Sequence, residues 1–272
     1  MPTSLPVLVL IHGLLSTPKE FGLIGHTLKL GGIEVVHLYI DGFTDSTREG
    51  VSTWQKWIDS AVQALDVGVP ADRLVVLGGL CVGGVIAAEL ALRCEDRIAG
   101  LIMMSPTFDY DGWGVSWWYH LRHIAYAVRL DRLIRIAERE PYGIKNDRIR
   151  RWVMEELKTQ RQSAIGPAKL PLWAIHEAEK LMAHVRANLG LLEQRTLIIH
   201  SRHDELSSLR GVEAIFREIG ASAKRMVVLE DSYHMITIDN ERATVARELI
   251  SFVRGTEATP LESLPESKLA IR

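Results

Sequence analysis

A cysteine inside a glycine-rich turn is the residue best placed to do chemistry. Cys81 lies at the centre of Gly79-Leu80-Cys81-Val82-Gly83-Gly84, between an apolar strand-like run and a helical run. In a Gly-x-nucleophile-x-Gly turn the nucleophile adopts a strained conformation on a sharp strand-to-helix bend, where neighbouring β-carbons would clash. Gly79 and Gly83 would leave that room. Taken alone, the motif has an alternative interpretation as a packing turn with an inert, buried cysteine.

An acid and a base follow the turn along the chain. Asp204 comes just after the apolar run 196–200, and His234 comes just after the run that ends at Leu229. This order of nucleophile, acid and histidine is that of the α/β-hydrolase arrangement. His234 is therefore the predicted general base, and Asp204 is predicted to orient it. Glu205 is the neighbour that could take the place of Asp204.

A second loop is predicted to complete an oxyanion hole. His12-Gly13-Leu14-Leu15 follows the first apolar run, Leu5–Ile11. In this kind of sheet that loop supplies one backbone N–H, and the residue after the nucleophile supplies the other. The predicted donors are Leu14 and Val82, whereas His12 is predicted to be structural.

Strands and helices alternate in a way that would position these loops. The predicted strands are Leu5–Ile11, Ile33–Leu38, Arg73–Gly78, Ile98–Met104, Thr196–His200 and Arg225–Leu229. Most are continuous apolar runs, which is typical of strands buried on both faces of a parallel sheet. Helical periodicity between them predicts an α/β fold with a mainly parallel sheet flanked by helices. Thr17 and Glu20 are predicted to form a capping box at the first helix.

The ninety or so residues between the fourth and fifth predicted strands break this alternation. They contain no convincing strand, but helical stretches are expected at 116–137, 146–160 and 171–189. Structureless loops of that length are uncommon, so an inserted helical cap is predicted. The predicted division is an α/β core at 1–108 and 191–254, a cap at 109–190 and a loose tail at 255–272.

The predicted cap is both aromatic and basic. Residues 120–161 carry 11 Lys and Arg against 6 Asp and Glu, which could attract an anionic substrate or carrier. A solvated helix face is the alternative reading of this charge. Four aromatic residues are the candidates for a substrate pocket, with ordinary contact between cap and body as the alternative: Trp113, Trp117, Trp118 and Tyr119. No metal site is predicted, because His120 and His123 have no evident third ligand.

Composition narrows the class of protein. The chain has 272 residues, of which 47% are hydrophobic and 24% charged, with a formal charge of −2 and two cysteines. These values are those of a globular domain and argue against a disordered chain, a disulfide scaffold or a nucleic-acid-binding protein. The run Leu5–Ile11 is too short for a signal peptide or a membrane span. A cytoplasmic protein is the expectation.

These motifs together resemble the α/β-hydrolases, and most of all the small bacterial carboxylesterase and monoacylglycerol lipase group. The resemblance covers about 1–110 and 191–254, and includes the Trp54-containing helix and the run 231–237 around His234. It implies Cys81, Asp204 and His234 as a triad, with Leu14 and Val82 as oxyanion donors. Cysteine replaces the usual serine, as in polyhydroxyalkanoate synthases and dienelactone hydrolases, and the run 39–43 departs from the usual loop.

A sulfur nucleophile influences the predicted reaction. Cys81 is expected to rest as a thiolate beside protonated His234, and its acyl-enzyme would be a thioester. The prediction is an acyl-transfer hydrolase acting on a small-molecule carboxylic ester or thioester, without a cofactor. One alternative is an acyltransferase that takes an acyl group from a CoA or acyl-carrier-protein thioester to an alcohol or amine. The other is a non-catalytic ligand-binding protein of this fold.

Overall fold

The computed structural model describes residues 5–44, 51–160, 162–163 and 166–255. These residues form the following strands: β1 (Val7–Ile11), β2 (Val35–His37), β3 (Val75–Leu80), β4 (Ile98–Met104), β5 (Arg135–Ala137), β6 (Gln162–Ser163), β7 (Gly166–Pro167), β8 (Lys169–Pro171), β9 (Thr196–Ser201) and β10 (Lys224–Leu229). The helices are α1 (Gly22–Leu30), α2 (Trp54–Gly68), α3 (Val82–Arg93), α4 (Arg122–Ala127), α5 (Asp147–Gln160), α6 (Leu172–Arg186), α7 (Leu209–Glu218) and α8 (Arg242–Arg254).

Six strands form the central sheet in the order β10-β9-β4-β3-β1-β2. Each neighbouring pair in it is parallel. These are the strands predicted from the sequence, with ends that differ by up to two residues. The α/β fold with a mainly parallel sheet is therefore confirmed. Because the strands are parallel, the loops that follow β1, β3, β4, β9 and β10 all leave the same edge of the sheet.

Helices cover both faces of this sheet. Alternate side chains of β1 belong to two apolar cores, with Val7 and Val9 in one and Leu8 and Leu10 in the other. The first core includes α2, α3 and α6, and the second includes α1 and α8. Burial on both faces explains why β1 is apolar at every position rather than at every second one.

The segment between β4 and β9 differs in part from its prediction. Helices α5 and α6 match the expected stretches, but the helix expected at 116–137 is much shorter. A 3₁₀ turn at Trp117–Leu121 leads into α4, and the helix ends before Arg129, which has a left-handed φ of 57°. Two antiparallel strand pairs, β5 with β8 and β6 with β7, were not predicted. Strands of two or three residues are too short to show an alternating pattern.

The boundaries of the predicted cap remain a prediction. Helix α6 lies in its sequence range but packs against α2 and α3 of the core. The expected loose tail begins at Gly255, and its residues 256–272 lie outside the described residues. No helix among the described residues is long and apolar enough to cross a membrane.

Candidate active site

Cys81 occupies the sharp bend between β3 and α3. Its backbone has φ 56° and ψ −124°, a conformation that costs a residue with a β-carbon about 1–3 kcal/mol. The flanking glycines permit the bend because a β-carbon on Gly79 would lie 2.1 Å from the Gly83 carbonyl oxygen. A β-carbon on Gly83 would lie 2.3 Å from the His12 carbonyl oxygen. The turn therefore has the geometry that its sequence predicted for a nucleophile.

A buried hydroxyl group contacts the thiol. The Cys81 Sγ atom lies 3.4 Å from Thr107 Oγ1, and Thr107 itself is fully buried. Thr107 comes just after β4, which is the strand next to β3, so both residues leave the same edge of the sheet. This contact was not predicted from the sequence. A hydroxyl residue just beyond the neighbouring strand was the available signal.

Asp204 and His234 form a buried hydrogen-bonded pair. The Nδ1 atom of His234 lies 2.7 Å from Asp204 Oδ2, and the aspartate also accepts the N–H groups of Leu206 and Ser207 at 2.8 and 2.9 Å. Burial alone would raise the pKa of Asp204, but the facing His234 ring lowers it below its ordinary value. The carboxylate bonds the ring at Nδ1, so Nε2 is the ring nitrogen left for another partner.

Cys81 lies near enough to the His234 ring to influence its pKa. Nε2 is buried and makes no hydrogen bond of standard geometry with a described residue. Burial lowers the pKa of His234, but Asp204 and the nearby Cys81 outweigh it and raise this pKa well above its ordinary value. Asp204 and the neighbouring Cys81 thus favour the imidazolium form of His234.

Glu205 contacts the same histidine at a different point. Its Oε2 atom accepts the backbone N–H of His234 at 3.2 Å, whereas the ring is bonded by Asp204. Burial raises the pKa of Glu205 to about 7. This carboxyl group fixes the backbone of the histidine loop and does not hold the imidazole.

The predicted oxyanion donors lie beside the bend. Leu14 is nearly buried just beyond β1, and its amide makes no hydrogen bond among the described residues. Val82 is the first residue of α3, where helical amides lack an intrahelical acceptor. The two N–H groups are therefore available for a developing negative charge near Cys81.

A buried acid supports the Leu14 loop. Glu20 Oε2 accepts the Gly13 N–H at 2.7 Å, and burial raises the pKa of Glu20 to about 7. The predicted capping box is wrong: Thr17 accepts from Lys19, and the glutamate turns inward instead of reaching back to Thr17. Thr17 and Glu20 have the spacing of a capping box, but the Glu20 carboxyl group accepts the Gly13 N–H instead.

His12 has a structural environment. Its Nε2 atom lies 2.8 Å from Thr44 Oγ1, which also accepts the Ile40 N–H at 2.8 Å. Burial lowers the pKa of His12 to about 4, so the ring is neutral near pH 7. It ties the loop after β1 to the run 39–43.

The four aromatic residues predicted to bind substrate occupy different surroundings. Tyr119 packs against Tyr110 with ring centroids 5.3 Å apart, and the pKa of Tyr110 is raised by burial and by Tyr119 and Cys81. Tyr119 therefore reaches the interior near the bend. Trp117 and Trp118 are 76% and 57% exposed and stack on each other. Their role in a pocket remains a prediction.

Trp113 lies over the loops that carry the acid and the histidine. Its Nε1 donates to the His203 carbonyl at 2.9 Å, and its ring meets Tyr233 edge-on at 5.6 Å. Both partners are direct neighbours of Asp204 or His234. Among the described residues, no cluster of three or more His, Cys, Asp and Glu side chains could hold a metal ion.

Two curated proteins are similar to the chain in sequence. The carboxylesterase of Bacillus subtilis (strain 168) is 28% identical over 85 residues, which are 31% of this chain and 35% of that protein. The match thus spans about a third of that relative. The thermostable monoacylglycerol lipase of Bacillus sp. (strain H-257) is 21% identical over 248 residues, or 90% of this chain and 88% of that protein.

The fold is shared with solved structures. The monoacylglycerol lipase of Paleococcus ferrophilus superposes with a TM-score of 0.74 at 15% identity, over 91% of this chain and 93% of that one. The model of the family described as "Serine aminopeptidase, S33" matches residues 3–241. The match includes the bend at Cys81 and the loops of Leu14, Asp204 and His234. The chain therefore belongs to the serine aminopeptidase S33 family of α/β-hydrolase enzymes.

Proposed function

We propose that the chain is an acyl-transfer hydrolase that cleaves a carboxylic ester or thioester through an acyl group on Cys81. One observation carries the proposal: the strained bend holds the thiol beside His234, whose far nitrogen is bonded to buried Asp204. Relatives named carboxylesterase and monoacylglycerol lipase support carboxylic esters as the substrate class. The family is named for serine. The role of the Cys81 sulfur as the nucleophile is therefore part of this proposal and is not implied by the family name.

Acylation begins from a thiolate and an imidazolium. The Cys81 sulfur bonds to the carbonyl carbon, and the carbonyl electron pair moves to oxygen, where the Leu14 and Val82 N–H groups stabilise it. When the carbonyl re-forms, the bond to the leaving group breaks. His234 Nε2 donates its proton to the departing alkoxide or thiolate. The products are a Cys81 thioester, a neutral imidazole and the free alcohol or thiol.

Deacylation reverses the roles with water. Neutral His234 accepts a proton from water while the oxygen attacks the thioester carbonyl. Collapse of the second oxyanion releases the carboxylic acid and returns the Cys81 thiolate. The imidazolium that formed during the attack of water is stabilised by Asp204 and pairs again with this thiolate. No metal or cofactor takes part in either half of this cycle.

The pocket beyond the thiol is proposed to take the acyl group. Tyr119 contributes to its wall through its contact with Tyr110, a buried residue that lies near Cys81. Trp113 overhangs the acid and histidine loops. The exposed side chains of Trp117 and Trp118 would contact substrate only near the entrance.

Acyl transfer to an alcohol or amine is the second candidate, and the chemistry of the thiol favours it. His234 is 5% exposed and Asp204 is 2% exposed, whereas Cys81 is partly exposed, so an acceptor would reach the site from the side of the thiol. A sulfur nucleophile also exchanges readily with thioester donors, because one thioester replaces another. Acyl-CoA or an acyl carrier protein would then be the donor.

Intact-mass spectrometry tests the shared intermediate. Wild type exposed to a chromogenic short-chain ester or an acyl-CoA is expected to gain the mass of one acyl group. Cys81→Ala should lose this adduct, and Cys94→Ala, which removes the other cysteine, should keep it. Cys94 is a suitable control because it is a free thiol whose pKa burial raises. An adduct that persists in Cys81→Ala would refute the proposal.

Product analysis separates the candidates. Turnover of the ester in water alone supports hydrolysis, and a product that shifts to the acylated alcohol or amine when an acceptor is added supports transfer. A single stoichiometric adduct that never turns over with any acceptor would instead support the non-catalytic binding protein.

A further inference from the structure

An apolar face points outward from the first helical segment after β4. Trp117 and Leu121 lie in the 3₁₀ turn, Ile124 lies in α4, and Val128 follows α4 directly. They are 76%, 52%, 63% and 57% exposed, respectively. We refer to these four side chains as the apolar cap face.

The opposite side of the same segment is already packed. Tyr119, Ala125 and Tyr126 contact the larger apolar core. Arg122 lies over the Tyr119 ring and pairs with Glu179 at 2.6 Å. A surface helix normally turns its polar side to water, so an outward side made of tryptophan, leucine, isoleucine and valine marks an interaction surface.

The chain that follows extends the same surface. Three further apolar side chains are 46%, 79% and 38% exposed: Leu130, Leu133 and Ile134. Three arginines lie among them, are exposed, and form no ion pair with another described residue: Arg129, Arg132 and Arg135. Apolar side chains with interspersed arginines match the boundary between acyl chains and anionic headgroups.

The position of this surface links it to the site. Trp113, 62% exposed, precedes the apolar cap face and is bonded to His203 and packed on Tyr233. Those partners adjoin Asp204 and His234. A lipid surface in contact with the segment would therefore lie beside the catalytic loops.

We propose that the apolar cap face docks this protein on an anionic lipid bilayer. The unpaired arginines supply positive charge that lipid phosphates would neutralise, and tryptophan is enriched at membrane interfaces. A second copy of the chain in a symmetric contact would instead bring arginines against arginines. The proposal is independent of the reaction at Cys81.

Vesicle flotation tests the docking surface. Wild type is expected to float with vesicles of phosphatidylcholine and phosphatidylglycerol, and less with phosphatidylcholine alone. The double variant Leu121→Ser/Ile124→Ser should partition at least about tenfold more weakly. Val67→Ser/Leu191→Ser is the matched control, because those side chains are 88% and 69% exposed elsewhere and should leave flotation unchanged.

Further variants identify what binds to the apolar cap face. Arg129→Gln/Arg132→Gln should weaken flotation on the anionic vesicles and reduce its salt dependence. Cys81→Ala should float like wild type, so failure of the proposed reaction would leave this result intact. The thermal midpoint of Leu121→Ser/Ile124→Ser should match that of wild type, because the replaced side chains are exposed.

Three results would overturn the proposal. The first is equal flotation of wild type and Leu121→Ser/Ile124→Ser. The second is a wild-type dimer, seen by light scattering, that this double variant loses while neither protein floats. The third is retention on an immobilised acyl carrier protein together with no flotation.

Discussion

Replacing Asp204 with asparagine should uncouple the thiol from its histidine. The carboxylate lies 2.7 Å from His234 Nδ1 in a buried site and raises the pKa of the imidazole against the effect of burial. Asparagine keeps the shape but removes the charge, and its amide can also stabilise the wrong tautomer of the ring. His234 should then be neutral near pH 7, and Cys81 should lose its ion-pair partner.

The size of this effect follows from the geometry. Unit charges 2.7 Å apart interact by about 6 kcal/mol at an effective dielectric constant of about 20. Part of this energy offsets the cost of burying the imidazolium. If about half remains, the charged form of His234 loses about 3 kcal/mol, which corresponds to roughly two orders of magnitude in its population.

Iodoacetamide alkylates the Cys81 sulfur without any substrate. The rate of this reaction therefore reports how strongly charged His234 activates the thiol. In wild type the charged imidazole of His234 should speed alkylation of the neighbouring sulfur. In Asp204→Asn the rate at pH 7 should fall about a hundredfold.

Asp231→Asn is the matched control. Its carboxylate is 61% exposed in the loop before His234 and pairs with Lys145, so the alkylation rate should not change. An Asp204→Asn rate equal to that of wild type would refute the coupling between Cys81 and His234.

Three other changes test the surroundings of the site. Thr107→Val removes the hydroxyl 3.4 Å from Cys81 Sγ and should slow acylation about tenfold in a stopped-flow assay, with a similar thermal midpoint. Burial raises the pKa of Glu205 from 4.5 to about 7, so the folded state keeps a proton that the unfolded state releases, and stability falls as pH rises across this window. Glu205→Gln should flatten that fall by up to about 3 kcal/mol in urea titrations, and an unchanged slope would contradict the raised pKa. Gly79→Ala should cost more than about 3 kcal/mol of unfolding free energy, because its β-carbon would lie 2.1 Å from a carbonyl oxygen. Gly25→Ala, with nothing within 4 Å on α1, should instead add about 0.5–1 kcal/mol, and equal effects of the two would refute the argument.

Much of the fold could be predicted because the central sheet has a strong local signature. A strand buried on both faces must be apolar at nearly every position, and β1 and β4 show this in the sequence. The bend at Cys81 could be predicted equally well, because only glycine tolerates the close approach of backbone at positions 79 and 83. The family match over residues 3–241 agrees with this part of the prediction.

The region after β4 was harder to predict. Its outward apolar residues gave the sequence a helical periodicity over 116–137, but the chain leaves the helix at Arg129 and adds the short strand β5. Apolar side chains that face solvent produce the same pattern as those that face a core. Periodicity therefore could not separate Tyr119, which packs inward, from Trp117, which does not.

The sequence by itself determined the order of the strands along the chain, the bend that carries Cys81, and the types and order of the acid and the histidine. These depend on local sterics and on apolar patterns that neighbouring residues express together. Tertiary structure decided that Asp204 rather than Glu205 bonds the His234 ring, that Glu20 turns inward to the Gly13 amide, and that Thr107 touches the sulfur. Such contacts join residues far apart in sequence, so local patterns can name candidates but cannot decide which of them meet.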